Sequence, residues 1–135
     1  MRVILDTNVL LSALLSPRGA PAGLLAAWKR KVFTLVISDE LVAELRSVLQ
    51  RPFFSARLLE SDAELFVASI RDLAFCCSNP LPSVAAPDSK DSFLLALAAA
   101  SEASFLVTGD KSLLALKAHG ATRIVTPAFM VDFLK

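Results

Sequence analysis

The chain has 135 residues, a net charge of +1 and 55% hydrophobic residues, which suits one compact domain, residues 1–135, with an ordinary core. Its positive mean hydropathy excludes a disordered chain, and its near-neutral balance gives no argument for nucleic-acid binding from bulk charge. No window reaches the roughly 18 uncharged apolar residues that span a bilayer. The N-terminal apolar run Val3-Ile4-Leu5 stops at Asp6, too early for a secretory signal. Cys76 and Cys77 are adjacent, an arrangement that suits neither a mutual disulfide nor zinc. They read as two small residues in a buried strand, and the expected setting is cytoplasmic with no membrane.

Residues 2–5 read as a buried strand, too apolar for a one-sided sheet. Asp6-Thr7-Asn8 starts a short helix over Val9 to Leu15, stopped by Ser16-Pro17-Arg18-Gly19. Pro21 stands in the first turn of a helix over Ala22 to Lys31. Phe33 to Ile37 is strand-like, and Ser38 is a natural N-cap for a helix through Gln50. A short helical piece begins at Pro52. Ser61 and Glu64 have the spacing of a capping box for a helix through Asp72. Leu73 to Cys77 reads as a strand, and Ser78 to Pro87 as a proline-punctuated loop. A helix over Lys90 to Ser101 then leads to a strand over Phe105 to Thr108. Asp110 caps a helix through Ala118 with Gly120 as its stop. Arg123 to Val125 forms a last strand, and Thr126-Pro127 opens a terminal helix. Strands alternating with helices predict an α/β three-layer sandwich around a mostly parallel central sheet.

Four acids fall where apolar residues are expected. Asp6 follows the first strand, Asp110 follows the strand at Phe105, and Glu44 and Asp91 ride leucine-rich helices. In parallel sheets, ligands sit outside the carboxyl ends of the strands, so Asp6 and Asp110 can share one mouth. Each alone is also an ordinary N-cap. At 100° per residue, Leu41, Val42, Leu45, Val48 and Leu49 form one stripe with Glu44 at its margin, whereas Glu40 points to solvent. Asp91 falls between the directions of Leu94, Leu95 and Ala98. Asp88 is either a cap for that helix or a supporting residue. Acids are rarely buried unless paired or bound to a cation, and four converging carboxylates repel one another without one. An all-oxygen set selects Mg²⁺ or Mn²⁺ over zinc, and such a site serves phosphoryl chemistry. Thr7, Asn8, Ser38, Thr108 and Ser112 can hydrogen-bond a carboxylate or water there, although each is also a routine helix-start residue.

No glycine-rich phosphate loop, dinucleotide fingerprint or nucleophile elbow is present, and His119 reads as a surface residue near a helix end. The basic residues Arg18, Lys29, Arg30, Lys31, Arg46, Arg51 and Arg57 lie in the first half, close in sequence to Asp6 and Glu44. Solvated helix faces and a path leading a polyanion to the site are both open.

Leu5-Asp6-Thr7-Asn8-Val9-Leu10, Ser38-Asp39-Glu40-Leu41-Val42-Ala43-Glu44-Leu45, Asp88-Ser89-Lys90-Asp91 and Val107-Thr108-Gly109-Asp110-Lys111-Ser112-Leu113-Leu114 occur in that order. Together they resemble the motifs of the PIN domain. The stretch Ser12 to Leu25, with Pro17-Arg18-Gly19-Ala20-Pro21, resembles the branch formed by toxin components of toxin–antitoxin systems, the VapC-like ribonucleases. The resemblance spans essentially the whole chain. It implies an Mg²⁺- or Mn²⁺-dependent endoribonuclease, with Asp6, Glu44, Asp91 and Asp110 as catalytic metal ligands and Asn8, Asp88 and Thr108 in support. It also implies an RNA substrate, a small antitoxin protein as partner and a homodimer. Ser104 departs from the family, which often has aspartate ahead of the strand leading to Asp110. Two other readings compete: a catalytically silent RNA- or protein-binding module on the same scaffold, and an aspartyl phosphatase-like hydrolase. Asn8 speaks against the second, since a carboxylic acid two residues beyond Asp6 would serve such an enzyme better.

Overall fold

A computed structural model describes residues 1–77 and 89–135, with the backbone alone for 89–91. Strand β1 (Arg2–Leu5) feeds helices α1 (Thr7–Leu15) and α2 (Ala20–Lys29). There follow β2 (Thr34–Ile37), α3 (Asp39–Leu49), α4 (Pro52–Ser55), α5 (Glu60–Leu73) and β3 (Phe75–Cys76). The chain closes with α6 (Ser89–Ser101), β4 (Phe105–Val107), α7 (Lys111–Leu116), β5 (Ala118–His119), β6 (Thr122–Val125) and α8 (Pro127–Leu134). The expected loop at 78–87 lies outside the described residues.

The sheet order is β3-β2-β1-β4-β6-β5, and every pairing is parallel except β5 with β6. This is the α/β architecture with a mostly parallel central sheet and flanking helices that the strand–helix alternation predicts. Val3, Ile4 and Leu5 are all fully buried or nearly so, as a strand covered on both faces must be. Leu35 and Leu106 join Ile4 at the centre of the core. Each such leucine or isoleucine contributes on the order of 1.5–3 kcal/mol by leaving water. From β1 the chain steps to β2 and β3 on one side and to β4 and β6 on the other. The order reverses between β1 and β4, which places a crevice at their carboxyl ends.

Four expectations change. α5 begins at Glu60 with no side-chain cap from Leu59, so Ser61 and Glu64 form no capping box; Glu60 and Asp62 in the first turn favour the helix dipole instead. Phe75 and Cys76 form a short, exposed edge strand and Cys77 is half-buried, because β3 has only β2 beside it. α7 ends at Leu116, Lys117 turns with φ 64°, and Gly120 with φ 60° serves a hairpin turn between β5 and β6. His119 therefore lies in β5, paired with Thr122. On α6, Leu94 through Ala98 are all buried, so its apolar face is broader than a single stripe.

Candidate active site

Four polar residues stand at the carboxyl ends of adjacent parallel strands: Ser38 after β2, Asp6 after β1, Thr108 after β4 and Thr126 after β6. Two of them cap helices. The Leu41 amide donates to Ser38 Oγ at 3.2 Å, and the Phe129 amide to Thr126 Oγ1 at 3.1 Å. The central pair behaves differently. Asp6 occupies the N-cap position of α1, yet its side chain makes no cap hydrogen bond. Its Oδ2 instead accepts from the Thr108 hydroxyl at 2.7 Å. Thr108 is released from capping because Gly109 spaces the start of α7 two residues further on, where Asp110 takes the N-cap.

The Thr108 hydroxyl also accepts from the Asp110 amide at 3.0 Å, so one side chain holds both aspartates in register. The strand ends are themselves tied, the Asp6 amide donating to the Val107 carbonyl at 2.9 Å and the Thr108 amide to the Val125 carbonyl at 3.0 Å. Asp110 Oδ1 accepts from the Ser112 hydroxyl at 2.6 Å and from the Ser112 and Leu113 amides at 2.8 and 3.3 Å. The capping role that its sequence position allowed is thus real, and it engages one of the two carboxylate oxygens.

The two acids differ electrostatically. Asp6 is 8% exposed. Burial pushes its carboxyl above the ordinary aspartate value, opposed by the Thr108 hydroxyl and the nearby Thr7 and Asn8 amides and reinforced by the charge of Asp110. Asp110 is exposed, and its bond from Ser112 holds its carboxyl below the ordinary value. The mouth thus has one desolvated and one solvated carboxylate, the first within the field of the second. Thr7 Oγ1 is buried there with no hydrogen-bond partner among the described residues. A buried carboxylate disfavoured by burial and by a second negative charge fits a hard cation that would relieve both. The soft ligands of the chain, Cys76 and Cys77, sit at the far edge strand.

The other candidates are placed as follows. Glu44 is half-buried on α3, whose buried residues are Leu41, Val42, Leu45, Val48 and Leu49. α3 packs on α1; among the described residues, which leave out the side chain of Asp91, no three His, Cys, Asp or Glu side chains gather as a metal site would require. Asn8 is exposed on α1. Asp91 is in the first turn of α6, its side chain outside what is described, and Asp88 lies outside the described residues. A groove of about 750 Å³ lies elsewhere, between α3, α4 and α5, lined by Leu49, Phe54, Leu58 and Val67 with Arg46 and Glu64.

The run Lys29-Arg30-Lys31 is not beside Asp6. α2 must return the chain to the opposite edge of the sheet so that β2 can start parallel to β1, and this carries the three cations to the amino ends of the strands. Sequence proximity could not show this; the direction of the intervening helix does.

A family model described as PIN domain matches residues 2–112. No curated protein matches the sequence. Among solved structures, PAE2754 from Pyrobaculum aerophilum superposes with a TM-score of 0.70 at 17% identity, over 99% of this chain and 89% of that one. VapBC2 from Rickettsia felis, bound to a DNA fragment from its promoter, superposes with a TM-score of 0.63 at 15% identity, over 93% of this chain and 98% of that one.

Proposed function

The chain belongs to the PIN-domain family, and from that premise we propose that it is an endoribonuclease dependent on Mg²⁺ or Mn²⁺, acting as the toxin of a toxin–antitoxin pair. The observation that carries the reading is the Asp6–Thr108–Asp110 bridge at the switch point between β1 and β4. We assign Asp6, Glu44, Asp91 and Asp110 to holding the cation, with Asn8, Asp88 and Thr108 in support. When bound, the cation supplies charge neutralisation and an activated water for phosphodiester hydrolysis. The chain's own contribution is positioning. Thr108 orients Asp6 through its hydroxyl and Asp110 through the backbone amide, and the cap on Asp110 Oδ1 leaves the geometry of the second oxygen fixed. The apolar floor of Leu5, Val107 and Leu113 keeps water from the strand side.

The likeness to a VapBC structure supports a small antitoxin as partner; a homodimer and a cytoplasmic location belong to the same proposal. The competing reading, a silent RNA- or protein-binding module, is favoured by one observation, the engagement of Asp110 as a helix cap. Cleavage of RNA by the purified protein separates the two. The expected result is cleavage in Mg²⁺ or Mn²⁺, none in chelator, and none by Asp6→Asn or Asp110→Asn variants with unchanged circular dichroism. Thr108→Val is expected to lose about 10–100-fold in rate, as residues that orient metal ligands do, with Thr108→Ser retaining most of it. Cleavage undiminished in chelator, or by Asp6→Asn, would sink the proposal.

A further inference from the structure

The amino ends of the strands carry the opposite chemistry from the carboxyl ends. The Thr34 amide donates to the Met1 carbonyl at 2.8 Å and Arg2 pairs with Thr34, so the N-terminus, Arg2 and the exposed run Lys29-Arg30-Lys31 meet at one edge. Phe105 pairs with Arg123 on the same edge. The Arg123 guanidinium lies 5.8 Å from the centre of the Phe105 ring and 5.1 Å from that of Phe129. Phe129 and Phe133 stack at 6.3 Å with 15° between their planes, and both remain exposed, at 40% and 49%. Phe133 also reaches Phe105 at 4.8 Å. Further along the edge, Arg2 lies 4.7 Å over the exposed Phe75 ring.

Cations interleaved with exposed aromatic rings are the elements of a surface for single-stranded nucleic acid: phosphates take the charges and unpaired bases take the rings. The backbone adds a second observation. Lys31 closes α2 with φ 64°, its amide donating to the Trp28 carbonyl and that of Val32 to the Ala27 carbonyl. Glycine is the residue that suits this turn; lysine is strained there, and its charge extends the basic run. The acids of this side, Asp72, Glu102 and Asp132, are spread singly, and Asp132 pairs with Lys135 at 3.4 Å. Strands of four residues put the edge roughly 13 Å from the Asp6 mouth.

We propose that this amino-edge face is a second nucleic-acid-binding surface, for single strands, separate from the catalytic mouth. It holds whether or not the chain cleaves RNA. The rings belong to α8 and the strands rather than to an insertion loop, which favours stacking over entry into a lipid surface. The test is the anisotropy of a labelled oligouridylate in chelator, titrated with salt, all in an Asp6→Asn background so that no cleavage intervenes. Lys29→Gln, Arg30→Gln and Lys31→Gly together are expected to weaken binding at least tenfold and to lower the salt slope by about 0.7 for each lost phosphate contact. Glycine fits φ 64° at position 31, so the melting temperature should hold or rise, excluding misfolding as the cause. Phe133→Leu is expected to lower affinity with no change in slope, since it removes a ring and no charge. Unchanged affinity and slope in the triple variant would overturn the proposal. So would tight binding of phosphatidylserine vesicles, but not of oligouridylate, by the same residues.

Discussion

Asp6 and Asp110 show how one residue type takes two characters within a single crevice. The difference is solvation: Asp6 is shut behind β1 and β4, whereas Asp110 stands at the exposed start of α7 with its charge satisfied by Ser112. The sign for stability follows. A buried acid whose folded value lies above its unfolded one leaves the folded state binding more protons, so stability is lost as pH rises from about 3.8 through the raised value. Asp110 works in reverse, its contribution present above about 3.8 and lost as pH falls through the lowered value. Asp6→Asn keeps an oxygen to accept the Thr108 hydroxyl and removes the charge. Without metal it should stabilise the protein at pH 7 by about 0.5–2 kcal/mol, the range of single favourable substitutions, with the gain fading as pH approaches 3.8. Thermal melts of both proteins across that range test this, and a destabilised variant at pH 7 would mean that the carboxylate is structurally required. Both aspartates stood out in the sequence because an acid directly after an apolar strand is conspicuous. Thr108 was legible as a supporting residue, but its bridge between the two aspartates was not, since Ser38 and Thr126 at equivalent strand ends serve as caps, and only the spacing through Gly109 separates the cases.

Among the elements, those with strong periodicity were legible and the short ones were not. α3 carries its five buried apolar residues on the side the pattern predicts, and Ser38 caps it as its position suggests. β3 and β5 have two residues each, below the length at which alternation shows. The strand β5 was hidden because Lys117 takes a left-handed turn that lysine rarely adopts. The placement of Lys29-Arg30-Lys31 was hidden for a different reason: whether a helix end faces the crevice depends on the parallel pairing of β1 and β2, a long-range fact. Where the cap is legible, its energy is testable. Ser38→Ala strands the Leu41 amide at a buried helix start and should cost about 0.5–2 kcal/mol, read as a lower urea midpoint with unchanged slope. Glycine there should cost only a few tenths of a kcal/mol. Equal midpoints for wild type and the alanine variant would show the hydroxyl contributes nothing.

The molecule as a whole is polarised along its strands. Asp6, Asp39, Glu40 and Asp110 gather at the carboxyl ends, while Arg2, the run ending at Lys31 and Arg123 gather at the amino ends. A net charge of +1 conceals that division, which is why composition pointed to no partner. Parallel topology produces it: each crossover between parallel strands must carry the chain from the carboxyl end of one to the amino end of the next, so residues at the start and at the end of a crossover are sorted onto opposite ends of the sheet. Under the proposed function a divalent cation would be drawn to one end of the protein, where it would relieve the repulsion that burial and the charge of Asp110 impose on Asp6. Its binding should stabilise the fold through mass action, by about 2.7 kcal/mol at a hundredfold excess over Kd, and so raise the melting temperature. Asp6→Asn should melt higher than wild type in chelator and gain less on adding Mg²⁺ or Mn²⁺, so that the two titrations converge or cross. Parallel titrations, with equal gains for both proteins, would place the cation away from Asp6 and return the mouth to a purely structural role.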